Sequence, residues 1–215
     1  MSRRFDCDAP DERRSGLEQA GQAARRGDLV VLPTDTVYGI GTDAFAAHGV
    51  AALLAAKGRG RDMPVPVLVG SPRTVSGLTF GLPSAAHELG EAFWPGGLTI
   101  IVRQAPSLVW DIGDSDGTVA LRMPLHPVAI ELLVAVGPMA VSSANRSGEL
   151  PATTADEAQA QLGDSVAVYL DGGPSGDPVP SSIVDLTGEV PLLLRAGAVG
   201  LDDLRSVCPD LAVAP

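Results

Sequence analysis

Leu29-Val30-Val31-Leu32-Pro33-Thr34-Asp35-Thr36-Val37-Tyr38-Gly39-Ile40-Gly41 decides how this chain is read. Four apolar residues in a row, bounded by charge and proline, predict a short buried strand. Pro33 lacks a backbone donor and ends it. Two hydroxyls and a carboxylate follow, and 38–43 then predicts a second strand. A polar loop thus leaves the carboxyl end of a buried strand, where open α/β sheets usually hold ligands. Thr34 and Thr36 both donate and accept, so they suit a small zwitterion with an ammonium and a carboxylate. The same residues also build ordinary Asx and Ser/Thr turns. Gly39 and Gly41 either permit a close backbone approach or mark a bulge.

Working outward, 15–26 predicts a helix with Leu17, Ala20 and Ala24 on one face and Gly27 as its stop. Residues 50–57 predict an alanine-rich helix capped by Gly58. Strands are expected at 65–69, 98–103, 118–122, 139–142, 166–170, 182–186 and 192–194. Helices are expected at 83–93, from Pro127, from the capping box Thr154-Ala155-Asp156-Glu157 and from Leu201. Several strands follow one another with no helix between them. That predicts an α/β fold with a twisted, mixed sheet flanked by helices rather than a purely doubly wound one. No linker or repeat divides the 215 residues. The expected organisation is an N-terminal tail at 1–14, a single domain at 15–205 and a C-terminal tail at 206–215.

The formal charge of −11 is unevenly spread. Residues 1–103 carry eleven basic and eleven acidic side chains; residues 104–215 carry four basic and fifteen acidic ones. A broad nucleic-acid surface needs clustered cations and a basic balance, so any anion is expected in a local pocket where a few cations converge. No apolar run approaches the roughly 18 residues of a membrane span, and the first residues, Met1-Ser2-Arg3-Arg4, lead into more charge instead of a signal core. Cys7 and Cys208 have neither CxxC nor zinc spacing. A cytoplasmic, reduced protein is expected, with a disulfide between the termini as the alternative.

Lys57 is the chain's one lysine among fifteen basic residues, and it stands in Lys57-Gly58-Arg59-Gly60-Arg61. Lysine offers a point charge on a flexible stem and arginine a planar fork. A Gly-rich basic turn offers both to a polyphosphate; the plainer alternative is a cation at a helix end. Neither GxxxxGK[ST] nor GxGxxG occurs, so a P-loop and a dinucleotide site lack support. Ser142-Ser143-Ala144-Asn145 at a strand end offers hydroxyls to phosphate or ribose, or forms a solvent turn. No GxSxG elbow supports a serine hydrolase. His48, His87 and His126 are scattered, without metal-ligand spacing. Arg122 and Arg195 each end an apolar strand, where a guanidinium clamps a carboxylate or is merely exposed. Trp94, before Pro95-Gly96-Gly97, reads as a packing anchor.

Together these segments resemble the YrdC-like family, the threonylcarbamoyl-adenylate synthases. The matching stretches, in family order, are PTDTVYGIG at 33–41, KGRGR at 57–61, WPGGLTIIV at 94–102, TVALRMPLHP at 118–127, SSANRSG at 142–148, SSIVD at 181–185 and LLLRAG at 192–197. The resemblance implies a twisted mixed sheet with a concave, positively charged cavity. It implies condensation of L-threonine, bicarbonate and ATP to threonylcarbamoyl-AMP and pyrophosphate, with Mg2+ accompanying ATP and no protein-held metal. The product would go to a separate tRNA transferase for N6-threonylcarbamoyladenosine at tRNA position 37. Residue by residue, it assigns threonine contacts to Thr36, Arg122, Ser181 and the backbone around Val141. It assigns nucleotide contacts to Lys57, Arg59, Thr118, Ser143, Asn145 and Arg195, with Lys57 and Arg59 neutralising the phosphates during catalysis. Met63, Leu68 and Pro151 stand where longer relatives have asparagine, histidine and serine, and Pro180 replaces an acidic residue. The chain resembles the short, single-domain form. Two other functional classes remain open: an RNA-binding module, and a carbamoyl-adenylate-forming enzyme of the hydrogenase-maturation type.

Overall fold

In the computed structural model, residues 2–176 and 179–214 are described. Eleven strands form one sheet: β1 (Arg3–Asp6), β2 (Val30–Leu32), β3 (Gly39–Asp43), β4 (Val67–Leu68), β5 (Leu98–Arg103), β6 (Thr118–Arg122), β7 (Met139–Ser143), β8 (Val168–Asp171), β9 (Ser182–Asp185), β10 (Leu192–Arg195) and β11 (Ala212–Val213). Their order across the sheet is β1-β8-β2-β3-β7-β4-β6-β5-β9-β10-β11. Parallel and antiparallel pairs alternate irregularly: β8 and β2 are parallel, β2 and β3 antiparallel, β4 and β6 parallel, β6 and β5 antiparallel. The mixed sheet expected from the strand succession is the observed one.

The helices are α1 (Pro10–Arg25), α2 (Ala47–Lys57), α3 (Pro72–Leu78), α4 (Ser84–Phe93), α5 (Pro127–Val136), α6 (Ala155–Leu162) and α7 (Leu201–Val207). Period-two alternation sorts the strand residues between two cores. Val30, Leu32, Leu68, Met139 and Val141 pack with α1 and α5. Val31, Ile40, Val67, Ile100, Leu121 and Val184 face the opposite way, into a larger core with α2, α4, α6 and α7. The α1–α5 layer covers its face only as far as the middle of the sheet. Beyond β4 that face carries Ile101, Ala120 and Ile183, which are only half-buried. One face of the sheet is therefore helix-covered at one end and open at the other, and the step between them makes a concavity.

Among the described residues, both expected tails carry secondary structure. Residues 1–14 hold β1 and the first turn of α1, which starts five residues earlier than its apolar pattern predicts. Pro10 at the first helical position and Asp11 and Glu12 in the first turn suit a helix start. In β1 only Phe5 is buried; the flanking charges of an edge strand hid the apolar signal. Residues 206–215 include the end of α7 and β11. No helix among the described residues is long and apolar enough to cross a membrane.

Candidate functional site

Strand register gathers a set of side chains onto the open part of one face. Gly39 lies opposite Ser143 and Gly41 opposite Val141. Leu68 is paired with Arg122, Thr99 with Ile183, and Arg195 with Ile183 across a bulge. Because alternate residues share a face, Leu68, Thr99, Arg122, Val141, Ser143 and Ile183 point the same way. They floor a cavity of about 310 Å³, completed by Thr34 and Thr36 from the loop after β2 and by Arg59, Pro151, Pro180 and Ser181. The glycines of β3 serve the sheet itself: a Cβ at Gly39 would lie 2.7 Å from Val141 Cγ1, and one at Gly41 2.6 Å from the Ala140 carbonyl oxygen.

Arg122, at the end of β6, is buried and held on three sides. Its Nε donates to the Gly96 carbonyl at 3.0 Å, Nη1 to Thr36 Oγ1 at 2.9 Å and Nη2 to Asp35 Oδ1 at 2.7 Å. Asp35 Oδ1 also accepts the Leu125 amide at 2.9 Å. A guanidinium has five N–H donors, so two remain for a ligand. Thr34 Oγ1 donates to the Val37 carbonyl and lies 3.1 Å from Thr36 Oγ1, fixing the loop. Across the cavity, Arg195 donates from Nε to the Ser181 carbonyl at 2.9 Å and from Nη2 to Ser181 Oγ at 3.1 Å. Thr99 Oγ1 lies 2.8 Å from the same Ser181 hydroxyl. Burial lowers the pKa of both arginines. For Arg195, the positive charge of Arg122 lowers it further, whereas Asp35 opposes the shift at Arg122. Two mutually repelling guanidinia thus look onto one partly desolvated space, an arrangement that an anion relieves.

The expected site residues divide into two groups. Thr36, Arg59, Arg122, Val141, Ser143, Ser181 and Arg195 line the cavity. The Val141 amide is already spent on the Pro66 carbonyl, at 2.9 Å. The Arg59 Nε is buried and has no protein partner. Lys57, Asn145 and Thr118 do not line the cavity. Lys57, at the C-terminal end of α2, is 2% exposed. Its ammonium donates to the carbonyl oxygens of Ser143 and Asn145 and to Asn145 Oδ1. Its donors are taken up by the turn after β7, away from the cavity that is expected to hold phosphate. Burial, with Arg59 nearby, pulls its pKa down to about 8. Asn145 is equally occupied, since its Nδ2 serves the Arg146 and Glu149 carbonyls. Thr118 starts β6, at the opposite end from Arg122, and caps its own turn through the Ser115 carbonyl. Among the three departures, Leu68 and Pro151 line the cavity, while Met63 is 45% exposed on the basic loop and lies outside its lining. Sequence reasoning missed the holding role of Asp35 and the place of Thr99. The polar Thr99 at the start of an apolar strand was the available signal.

Among the described residues, no cluster of three His, Cys, Asp or Glu side chains could hold a metal. The cavity's chemistry is that of an anion receptor with a hydroxyl-lined, partly apolar wall. A family profile described as telomere recombination, that of Sua5, YciO and YrdC, matches residues 22–197. The chain belongs to the Sua5/YciO/YrdC family. A Mycobacterium tuberculosis relative with the provisional name threonylcarbamoyl-AMP synthase is 60% identical over 207 residues, covering 96% of this chain and 95% of the relative. A Bacillus subtilis threonylcarbamoyl-AMP synthase is 36% identical over 96% of this chain and 61% of its own length. Among solved structures of the family, Pyrococcus abyssi Sua5 complexed with L-threonine superposes with a TM-score of 0.93 at 31% identity, over the whole of this chain and 63% of that one. This Sua5/YciO/YrdC chain thus corresponds to nearly all of the mycobacterial relative and to less than two thirds of the other two.

Proposed function

We infer that the protein is an L-threonylcarbamoyl-AMP synthase. It condenses L-threonine, bicarbonate and ATP, releasing pyrophosphate. The observation that carries this reading is the pair of cavity-facing guanidinia, each with uncommitted N–H donors. Arg122 keeps two, beside the Thr36 hydroxyl; Arg195 keeps three, beside Ser181. An amino-acid carboxylate and a polyphosphate are anions that such forks hold bidentately.

In this reading the threonine carboxylate meets Arg122, and its methyl lies toward Leu68 and Val141. Its amine and bicarbonate give a carbamate with loss of water. A carbamate oxygen then attacks the α-phosphorus of ATP, and pyrophosphate leaves. The protein supplies positioning and charge stabilisation rather than a nucleophile. Arg59 and Arg195 face the phosphates and ribose, with Ser143 beside them. Mg2+ arrives as part of the nucleotide substrate: among the described residues no carboxylate lines the cavity, and Asp35 behind Arg122 is engaged by that guanidinium and the Leu125 amide. The product is proposed to pass to a separate tRNA threonylcarbamoyl transferase, and the protein to work in the cytoplasm, consistent with the free thiols of Cys7 and Cys208.

The test is pyrophosphate release from ATP. Release that needs both threonine and bicarbonate supports the assignment. Release with carbamoyl phosphate in place of threonine and bicarbonate would transfer the chain to the other adenylate-forming class.

A further inference from the structure

The basic loop that carries Arg59 has little structure of its own. Between the end of α2 and β4 it runs through Gly58 and Gly60 and forms no helix or strand. Its shape is imposed from outside, by residues 110–114 of the long connection between β5 and β6. Arg61 spreads its whole guanidinium over that connection. Nη1 and Nη2 grip Asp111 at 3.0 and 2.7 Å, and Nε reaches Asp114 Oδ1 at 3.2 Å. Two backbone bonds of 2.8 Å frame the contact, from the Asp114 amide to the Arg61 carbonyl and from the Val65 amide to the Ile112 carbonyl.

The connection is itself anchored. Ile112 is 2% exposed in the main core. Trp110 donates to Gln104 Oε1 at 2.8 Å and packs on Phe45 with ring centroids 5.5 Å apart. Gly113 has φ +102°, and a Cβ there would stand 3.0 Å from both the Arg61 carbonyl oxygen and Pro64 Cα. The two segments are thus fitted at backbone level, and only glycine meets both the dihedral and the spacing. Arg59, two residues from the clasp, has a buried Nε with no partner in the protein. An orphaned buried donor on a cavity wall is costly unless a ligand takes it.

We propose that Arg61 is a positioning residue: its clasp on Asp111 and Asp114 fixes the 58–64 loop so that Arg59 presents its free donor to the nucleotide phosphates. This rests on the reading of the cavity as an ATP and threonine site. The clasp is exposed and ionic, so its contribution is modest and salt-sensitive. It should act on the nucleotide end alone, since Arg122 and Thr36 hang on different elements.

Calorimetric titration of the full chain with ATP and, separately, with L-threonine tests this. Arg61→Ala is expected to weaken ATP binding about three- to tenfold, the effect of a small exposed ion-pair network, and to leave threonine affinity unchanged. Asp111→Asn separates positioning from direct contact. If Arg61 merely touched ATP itself, releasing it from Asp111 would leave binding intact or tighten it. If it positions the loop, Asp111→Asn weakens ATP binding as Arg61→Ala does, and the Arg61→Asp/Asp111→Arg exchange recovers most of the loss. Normal ATP affinity in Asp111→Asn, equal loss of both ligands, or failure of the exchange to recover binding overturns the proposal. Should the unsubstituted protein bind neither ligand, the cavity assignment is what fails.

Discussion

The ammonium of Lys57 stands 2.9 Å from the Asn145 carbonyl oxygen and 3.1 Å from Asn145 Oδ1, tying the end of α2 to the turn after β7. The same ammonium donates to the Ser143 carbonyl. Ser143 lines the cavity and Lys57 does not, so the lysine is expected to act on ligands through the turn it holds. Arginine cannot copy this. Its planar fork cannot converge three bonds on oxygens arranged around a point. Both Lys57→Ala and Lys57→Arg are expected to lower pyrophosphate release by about tenfold or more, as loss of charge-assisted bonds would. Near-normal release by Lys57→Arg would show that charge alone suffices.

The same residue gives a pH prediction. The folded-state pKa of Lys57 is lowered from 10.5 to about 8, chiefly by burial. Between those values the unfolded chain holds a proton that the folded chain does not. This group therefore opposes folding fully below about pH 8, and its opposition fades as pH rises toward 10.5. Function runs the other way, because a neutral amine grips three oxygens less well. The apparent ATP affinity is expected to fall above about pH 8 while fold stability does not, and the alkaline limb should be absent in Lys57→Arg, whose guanidinium stays charged. A flat profile to pH 9.5 would exclude a titrating Lys57.

Arg122 and Asp35 form a buried pair at 2.7 Å, and their separate removal should have separable effects. Arg122→Ala is expected to weaken threonine binding roughly ten- to a hundredfold, the range of a charge-assisted bond, with a much smaller effect on ATP. It also leaves Asp35 buried without its cation, so the melting temperature should fall. Asp35→Asn keeps the shape and the Arg122 charge. It should loosen the guanidinium and so weaken threonine binding less than Arg122→Ala does, read as a modestly raised KM with little change in kcat. If Arg122→Ala binds threonine normally, the carboxylate does not lie there.

Threonine should be preferred over serine. Leu68 and Val141 give the cavity an apolar wall beside Arg122, and one lost methyl in such a wall costs roughly 1–3 kcal/mol. Competition calorimetry should show serine weaker by about tenfold; equal affinity would place the methyl in solvent.

Much of this was legible in the chain. β5 and β6 occupy the residues their apolar runs predicted, and α4 lies within one residue of its expected start. Two of the cavity arginines, Arg122 and Arg195, were readable because each ends an apolar strand. What was not readable is non-local. β1 carries one buried residue among charges and exists because β8 offers it an edge. Likewise, whether Lys57 or Arg59 faces the cavity depends on where Gly58 turns the chain, and on the oxygens that β7 brings to the lysine. A motif marked the stretches to look at, but only packing decides which of their residues face the cavity.

Gly39 and Val141 offer a test of how the cavity floor is built. β3 and β7 run antiparallel with Gly39 opposite Ser143 and Gly41 opposite Val141. A Cβ at Gly39 would come within 2.7 Å of Val141 Cγ1, closer than such atoms can pack. Gly39→Ala should therefore destabilise by about 1–3 kcal/mol, as overpacking does, and displace Ser143 or Val141 from the floor. The clash is with a side-chain methyl, so it can be removed: Gly39→Ala with Val141→Ala should lose less stability than the two single changes summed. Residues in contact commonly couple by about 0.5–3 kcal/mol. Urea melts of the four proteins in the cycle measure this. Strict additivity would mean that the glycine is there for backbone freedom or for a ligand, and not to let β7 approach.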